Sequence, residues 1–235
     1  MNPTQALVAI WLNVDAENHE EFRKWHNCEH STDRMDGPGF RVGYRYNAVD
    51  AGANHNILCT FEGDTLSAFE SDYYKESRDN PSPWTRECMA FIKNAERAVY
   101  SLQVSIGEPH RYDAPYVYMV SPNPETEEMK EEMIAWYREE HLERLYEVEG
   151  MTRGRVYQLE TAATGGATAE AEIQETTRSA RRIIAIYDME DPTIPTTDAW
   201  EEAAYGTSRS AAMRPNLKNA VRETWWLDFV KWKRG

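Results

Sequence analysis

The sequence predicts an α+β protein made of two copies of one βαββαβ unit. Three observations predict it: a gapless internal repeat, strand-length and helix-length patterns that recur in the same order, and turn residues at matching places. Residues 20–46 laid over residues 131–157, a shift of 111, share 8 identities in 27 positions. Glu20, Glu21, Trp25, Glu29, His30, Gly39, Gly43 and Tyr46 fall on Glu131, Glu132, Trp136, Glu140, His141, Gly150, Gly154 and Tyr157. Average composition would give roughly 2 by chance, and Trp and His are rare residues. The shared pattern is W-x3-E-H-x8-G-x3-G-x2-Y.

Each element follows in order. Residues 5–14 and 116–121 are rich in β-formers and open each copy as a strand. Residues 17–35 and 125–147 carry helical periodicity with acidic first turns. Pro38-Gly39 and Gly150 mark the turns that follow. Residues 40–47 and 151–159 alternate as second strands, and 56–61 and 182–188 are third strands, with ILCTF resembling IIAIY at a shift of 126. Residues 65–77, 83–97, 198–208 and 210–221 read as helices, and 98–105 and 223–232 as closing strands. The copies span residues 1–107 and 116–235, with 108–115 as linker. The extra 15 residues of the second copy fall near 161–176, a Gly/Ala/Thr/Glu-rich stretch that reads as a poorly ordered insertion over that copy.

This order is the ferredoxin-like split-βαβ unit. Its sheet carries helices on one face, and a second copy is the natural cover for the other. On the W-x3-E-H helix, the Gly turn after it and the Tyr-ended strand, the chain resembles the dimeric α+β barrel superfamily, and within it the EthD-like branch. The resemblance implies that the two fused units pair into one barrel, with the site between a unit's sheet and its helices.

Composition narrows the class. Lys and Arg total 26 against 40 Asp and Glu, a net charge of -14, which argues against nucleic acid or an anionic membrane as partner. No stretch approaches the roughly 20 apolar residues of a membrane span. The start of the chain lacks a basic region before its short apolar run. Cys28, Cys59 and Cys88 have no zinc or CxxC spacing, and their odd number suits a reducing compartment. A cytoplasmic protein is expected, and a homodimer of the fused barrel is left open.

The helix motif supplies the candidate chemistry. At about 100° per residue, Phe22, Trp25, His26, Glu29 and Asp33 share one arc, and Met133, Trp136, Tyr137, Glu140 and Arg144 share the matching one. Glu29 and Glu140 then point inward, with carboxyl pKa values raised by burial, while His30 and His141 at the stripe's edge titrate near neutrality. Each pair supplies a general acid and a general base. The alternative is a glutamate that accepts a hydrogen bond from Tyr46 or Arg45, or caps a backbone group, beside a packing histidine. Tyr46 and Tyr157 are the phenols placed to hydrogen-bond a developing oxyanion. Trp25, His26, Trp136, Tyr137 and Arg155 are candidate pocket walls and substrate contacts. Arg45, Arg153 and Arg155 orient an anion if they point inward, and Arg144 favours an anionic ligand where Asp33 does not. Tyr73, Tyr74 and Trp84 flank the Asn80–Pro83 turn as a pocket rim. His26 and His30 have metal-pair spacing but no further ligand by spacing, so no metal is expected.

What the resemblance implies is proton-transfer chemistry without metal, haem or flavin on a small aromatic or polyketide-like substrate, of lyase or isomerase type. Two alternatives stand beside it. One is a haem protein like the chlorite dismutases, with His141 in the place of the haem ligand. The other is a non-catalytic barrel that binds a small ligand. The copies are expected to differ in function, because His26, Asp33 and the uninterrupted loop of the first face Tyr137, Arg144 and the insertion of the second.

Overall fold

In the computed structural model, residues 4–107, 114–160 and 168–233 are described. The first copy runs β1 (Ala6–Val14), α1 (His19–Trp25), α2 (Ser31–Asp36), β2 (Phe40–Ala48), β3 (Ile57–Gly63), α3 (Asp72–Asp79), α4 (Pro83–Met89) and β4 (Ile92–Gly107). The second runs β5 (Tyr116–Ser121), α5 (Glu127–Trp136), α6 (Leu142–Tyr146), β6 (Met151–Leu159), α7 (Ala169–Ile173), β7 (Thr177–Arg178), β8 (Ile183–Met189), α8 (Asp198–Tyr205), α9 (Ser208–Met213) and β9 (Val221–Trp232). The fold class is α+β with two βαββαβ copies, as the repeat predicts. The sheet order is β1-β3-β2-β9-β5-β8-β6-β4-β7, and β1 also bonds β4. The order of eight strands therefore closes on itself, the pairing a barrel requires.

Two compact units divide the chain. The first holds residues 1–101, 160–179 and 227–235, and the second 102–159 and 180–226. In the first, β3 lies antiparallel between β1 and β2, with Ala9 opposite Thr60 and Tyr44 opposite Thr60. In the second, β8 lies between β5 and β6, with Tyr118 and Gly154 both opposite Tyr187. Strand alternation sends Ile57, Cys59 and Phe61 into the core beneath the helices of the first unit, and Ile183, Ala185 and Tyr187 into that of the second.

Three expectations change. The helix expected over 83–97 ends at Met89, because Ile92 to Arg97 pair with β1 as the start of a 16-residue strand. The helix expected over 210–221 ends at Met213 and tightens into a 3-10 turn over Arg214–Leu217, where Pro215 has no N–H to extend an α-helix. The insertion was expected over the second copy. Residues 161–167 lie outside the described residues, as do 108–113 of the linker, but residues 168–179 belong to the first unit. There α7 is capped by the Thr168 hydroxyl, which accepts from Ala171 N, and Glu170 is buried in an ion pair with Arg34. β7 bonds parallel to β4, Glu96 opposite Thr177.

Candidate active site

Both copies of the W-x3-E-H motif contain a π-helical turn, over His26–His30 and over Tyr137–His141. Ser31 N–H bonds His26 O, and Leu142 N–H bonds Tyr137 O. Such a turn takes one residue more than an α-turn, so every later position on the inner face moves on by one. The expected arc of Glu29 and Asp33 is replaced by His30 and Arg34. Arg34 is buried while Asp33 is not; in the second copy His141 and Leu145 are buried while Glu140 and Arg144 are not.

The glutamates have a different place from the one expected. Glu29 Oε1 accepts from Ser82 Oγ at 2.6 Å and Thr85 Oγ1 at 2.7 Å. Ser82 caps α4, and Trp25 Nε1 donates to Thr85 Oγ1 at 3.0 Å. The second copy repeats this network: Glu140 Oε1 accepts from Thr207 Oγ1 and from Ser210 Oγ, Thr207 caps α9, and Trp136 Nε1 donates to Ser210 Oγ at 3.0 Å. The expected rise in carboxyl pKa is reversed at Glu140, whose hydroxyl donors Thr207 and Ser210 lower it by stabilising the charged form. The signal missed in the sequence is a second small repeat, Ser82-x2-Thr85 against Thr207-x2-Ser210.

The histidines do not titrate near neutrality either. Burial, then the charges of Arg34 and His26, hold His30 well below its usual value. Burial, then Arg45 and Arg34, do the same to His26, and burial brings His141 down to about 3. All three are neutral imidazoles at pH 7. His26 is engaged at both nitrogens, Nδ1 with Ser31 Oγ at 3.0 Å and Nε2 with Cys59 Sγ at 3.4 Å. Burial pushes the Cys59 thiol up to about 12, so it is not a nucleophile. His30 packs between Trp25, His26 and Phe61, with ring centroids 4.6, 5.5 and 6.1 Å away. Among the described residues neither nitrogen of His30 is hydrogen-bonded.

His30 opens on a cavity of about 50 Å³ inside the first unit. Its walls include Trp25, His26, Cys59, Phe61, Tyr74 and Arg34, together with Arg78, Arg97 and Glu170. Arg34 donates from Nη2 to Glu170 Oε1 at 2.5 Å and from Nη1 to Ser77 Oγ at 2.7 Å and Asp33 Oδ2 at 2.6 Å. Arg78 Nε lies 3.7 Å from Glu170 Oε2. Arg97 Nη2 donates to Tyr74 Oη at 3.4 Å, and the guanidiniums of Arg34 and Arg78 lie 5.3 and 5.4 Å from the Tyr74 ring centre. Burial alone would raise the Tyr74 pKa, but Arg97, Arg78 and Arg34 outweigh it and lower the value. Of the rim residues expected from sequence, Tyr74 lines this cavity, while Tyr73 is exposed and donates to Asp33. Arg34, Arg78, Arg97 and Glu170 were not singled out in the sequence.

The remaining candidates lie elsewhere. Gly43, whose added Cβ would meet Phe61 and Met35, and Arg45, which donates to Asn27 at 2.8 Å, point toward the helices. Tyr46 therefore points to the opposite face, stacked with Tyr44 at 5.9 Å, and cannot serve a substrate held by His30. Gly154 meets Leu142 in the same way, so Arg155 and Tyr157 also face away from the helices. Arg155 is buried, but on the face away from the expected site, where its partner is the protein's own buried Asp188. In the second unit Tyr137 fills the place of His26; it is buried and hydrogen-bonded to Tyr187. The expectation that an arginine marks the second copy as the anion site is reversed: Arg144 donates to the Ala203 and Glu202 carbonyls, at 3.0 and 2.9 Å, while buried Arg34 is in the first.

No family model matches this chain, and no curated protein matches it in sequence. Among solved structures it is similar to an anthrone oxidase-like protein, with TM-score 0.65 and 12% identity over 100% of this chain and 95% of that one. It is similar to a provisionally named monooxygenase from Fusobacterium nucleatum subsp. nucleatum, with TM-score 0.63 and 11% identity over 100% and 97%. A chlorite dismutase variant from Candidatus Nitrospira defluvii aligns with TM-score 0.55 and 9% identity over 95% and 92%. These likenesses show the fold.

Chlorite dismutase invites a test of the haem expectation at His141. The His141 ring lies 3.9 Å from the Trp136 ring centre and 5.3 Å from that of Tyr137, and the imidazole is bonded to the Ala204 backbone. His141 is buried with Trp136 and Tyr137 packed against its ring, a setting that does not fit a haem. Among the described residues no three His, Cys, Asp or Glu are grouped to hold a metal, and no helix is long and apolar enough to cross a membrane.

Proposed function

We propose that this protein is an enzyme that moves protons on a small aromatic or polyketide-like substrate, with its working site in the first unit. The observation that carries the reading is His30: a neutral imidazole with unbonded nitrogens, on a cavity walled by aromatic rings and guanidiniums. His30 takes a proton from an acidic carbon or phenol. The enolate or phenolate that forms is stabilised by Arg34, Arg78 and Arg97, where guanidiniums held in a buried site need no reorganisation as charge develops. The His30 imidazolium then returns that proton to the anion, while Tyr74, its pKa lowered by the arginines, hydrogen-bonds the oxyanion. Trp25 and Phe61 hold the ring. His26, tied to Ser31 and Cys59, is a positioning residue. A lyase or isomerase outcome follows if the carbanion expels a group or is reprotonated elsewhere.

A second reading starts from the same carbanion. The name anthrone oxidase-like, borne by a protein of this fold, suggests a methylene oxidised by O2 to a carbonyl with release of water.

The test separates proton transfer from its consequences. Anthrone and anthrone-2-carboxylate are incubated with the protein in D2O, and deuterium entering the methylene is followed by NMR. Exchange above the buffer rate, lost in His30→Ala and kept in His141→Ala, is expected. Equal exchange with and without His30 overturns the reading. Consumption of O2 in step with exchange selects the oxidase outcome.

A further inference from the structure

Glu170 is the one carboxylate among the cavity-lining residues described, and it is held by two buried arginines. Arg34 and Arg78 are 3% and 7% exposed, and Glu170 is 6% exposed. Its Oε1 accepts from Arg34, and its Oε2 lies 3.7 Å from Arg78 Nε, so one carboxylate is shared between two guanidiniums. Arg97, also lining the cavity, adds a third guanidinium.

The element that delivers Glu170 is slight. α7 has five residues, and its one large apolar side chain, Ile173, is only partly buried against the core. Arg34 comes from the six-residue α2, while Arg78 and Arg97 come from the longer α3 and β4. Two of the three arginines thus stand on longer elements than the one that delivers Glu170. The cavity beside them has room for a few waters, or for a carboxyl group.

We propose that Arg34, Arg78 and Arg97 form a carboxylate subsite that Glu170 occupies in the free protein, so that the substrate is an aromatic or polyketide-like acid rather than a neutral ring. Exchange of one carboxylate for another keeps the buried charge balance, whereas a neutral ligand that displaced Glu170 would remove the carboxylate that Arg34 and Arg78 share. The exchange also bears on His30, which Arg34 helps to keep uncharged. A substrate anion on Arg34 takes over the balancing negative charge that Glu170 supplies in the free protein. The inference rests on the proposed site but not on its chemistry, because binding needs no turnover.

Benzoate is the probe, with benzyl alcohol as its neutral counterpart, both titrated by calorimetry into the full chain. Benzoate is expected to bind at least 10-fold more tightly than benzyl alcohol. Arg78→Gln should weaken benzoate about 10-fold and leave benzyl alcohol unchanged, and Arg78→Lys should fall between. Glu170→Gln should tighten benzoate several-fold, lower the melting temperature of the free protein and make benzoate's stabilisation larger. Equal binding of the two probes, or benzoate affinity that falls in Glu170→Gln, overturns the proposal. Should Arg78→Gln not fold, Arg78→Lys and Glu170→Gln decide it. Benzoate that binds this way while His30→Ala leaves proton exchange untouched would sink only the catalytic reading. Loss of exchange in His30→Ala without benzoate selectivity would sink only the subsite.

Discussion

Trp25 Nε1 donates to Thr85 Oγ1 at 3.0 Å, and the same hydroxyl donates to Glu29 Oε1 at 2.7 Å. The second copy preserves the relation through Trp136, Ser210 and Glu140 with serine and threonine exchanged. A tryptophan and a glutamate four residues apart thus clamp each long helix onto the capped start of a later one. Their recurrence follows from a shared joint in the fold, and it does not require shared catalysis.

If Glu140 is part of that joint, removing it costs stability and not chemistry. Glu140→Leu leaves the Thr207 and Ser210 hydroxyls without their acceptor and is expected to cost about 1.5–3 kcal/mol, as for hydrogen bonds to a charged group. Urea unfolding gives the stability change, and proton exchange per folded molecule should stay at the wild-type rate. A variant of unchanged stability that loses exchange would return Glu140 to the chemistry.

The two histidines of the repeat should respond unequally. His30→Ala removes the proposed base and should lower exchange by about 10²–10⁴-fold with a small effect on folding. His141→Ala opens a void against Trp136 and Tyr137 and should lower stability by roughly 2–4 kcal/mol while the folded protein keeps its activity. Equal activity losses in the two variants would mean two working sites.

Stability should fall with acidification from pH 6.5 downward. His141 has a folded pKa of about 3 against about 6.5 when exposed, so between these values only the unfolded chain binds the proton. The contribution is fully present above pH 6.5 and decreases by at most about 1.4 kcal/mol per pH unit below it. Burial and the charge of Arg144 act on His141 in this direction, and the hydrogen bond to Ala204 acts against them. Urea midpoints between pH 7 and pH 5 should drop less in His141→Asn than in the wild type. Parallel curves for the two would contradict the assignment.

Asp188→Ala should be among the most damaging single changes in the second unit. Asp188 and Arg155 have side chains 1% and 3% exposed, so the change removes a buried carboxylate from a buried ion pair. A loss of about 3–5 kcal/mol is expected. Replacing both with apolar residues of similar volume should recover much of it, which urea unfolding of the double variant checks.

The repeat, the βαββαβ order within each copy and the α+β class were determined by the sequence alone. A 111-residue shift that aligns tryptophan, histidine and two glycines leaves little freedom in how each copy folds, because periodicity and turn residues act locally. The candidate site was only half legible. His30, His26 and Trp25 were named from spacing, and the cavity contains all three. Their partners were not, for two reasons. The π-turn adds a residue that no periodicity at about 100° anticipates, so Asp33 was read in the place of Arg34. Glu170 lies 136 positions beyond Arg34, in a segment whose composition predicts only a loop. Strand alternation around Gly43 and Gly154 then turned Tyr46 and Tyr157 to the face away from the helices. Local periodicity names elements, but the charge around a histidine is set by which distant arginines fold against it, and only the tertiary structure decided that.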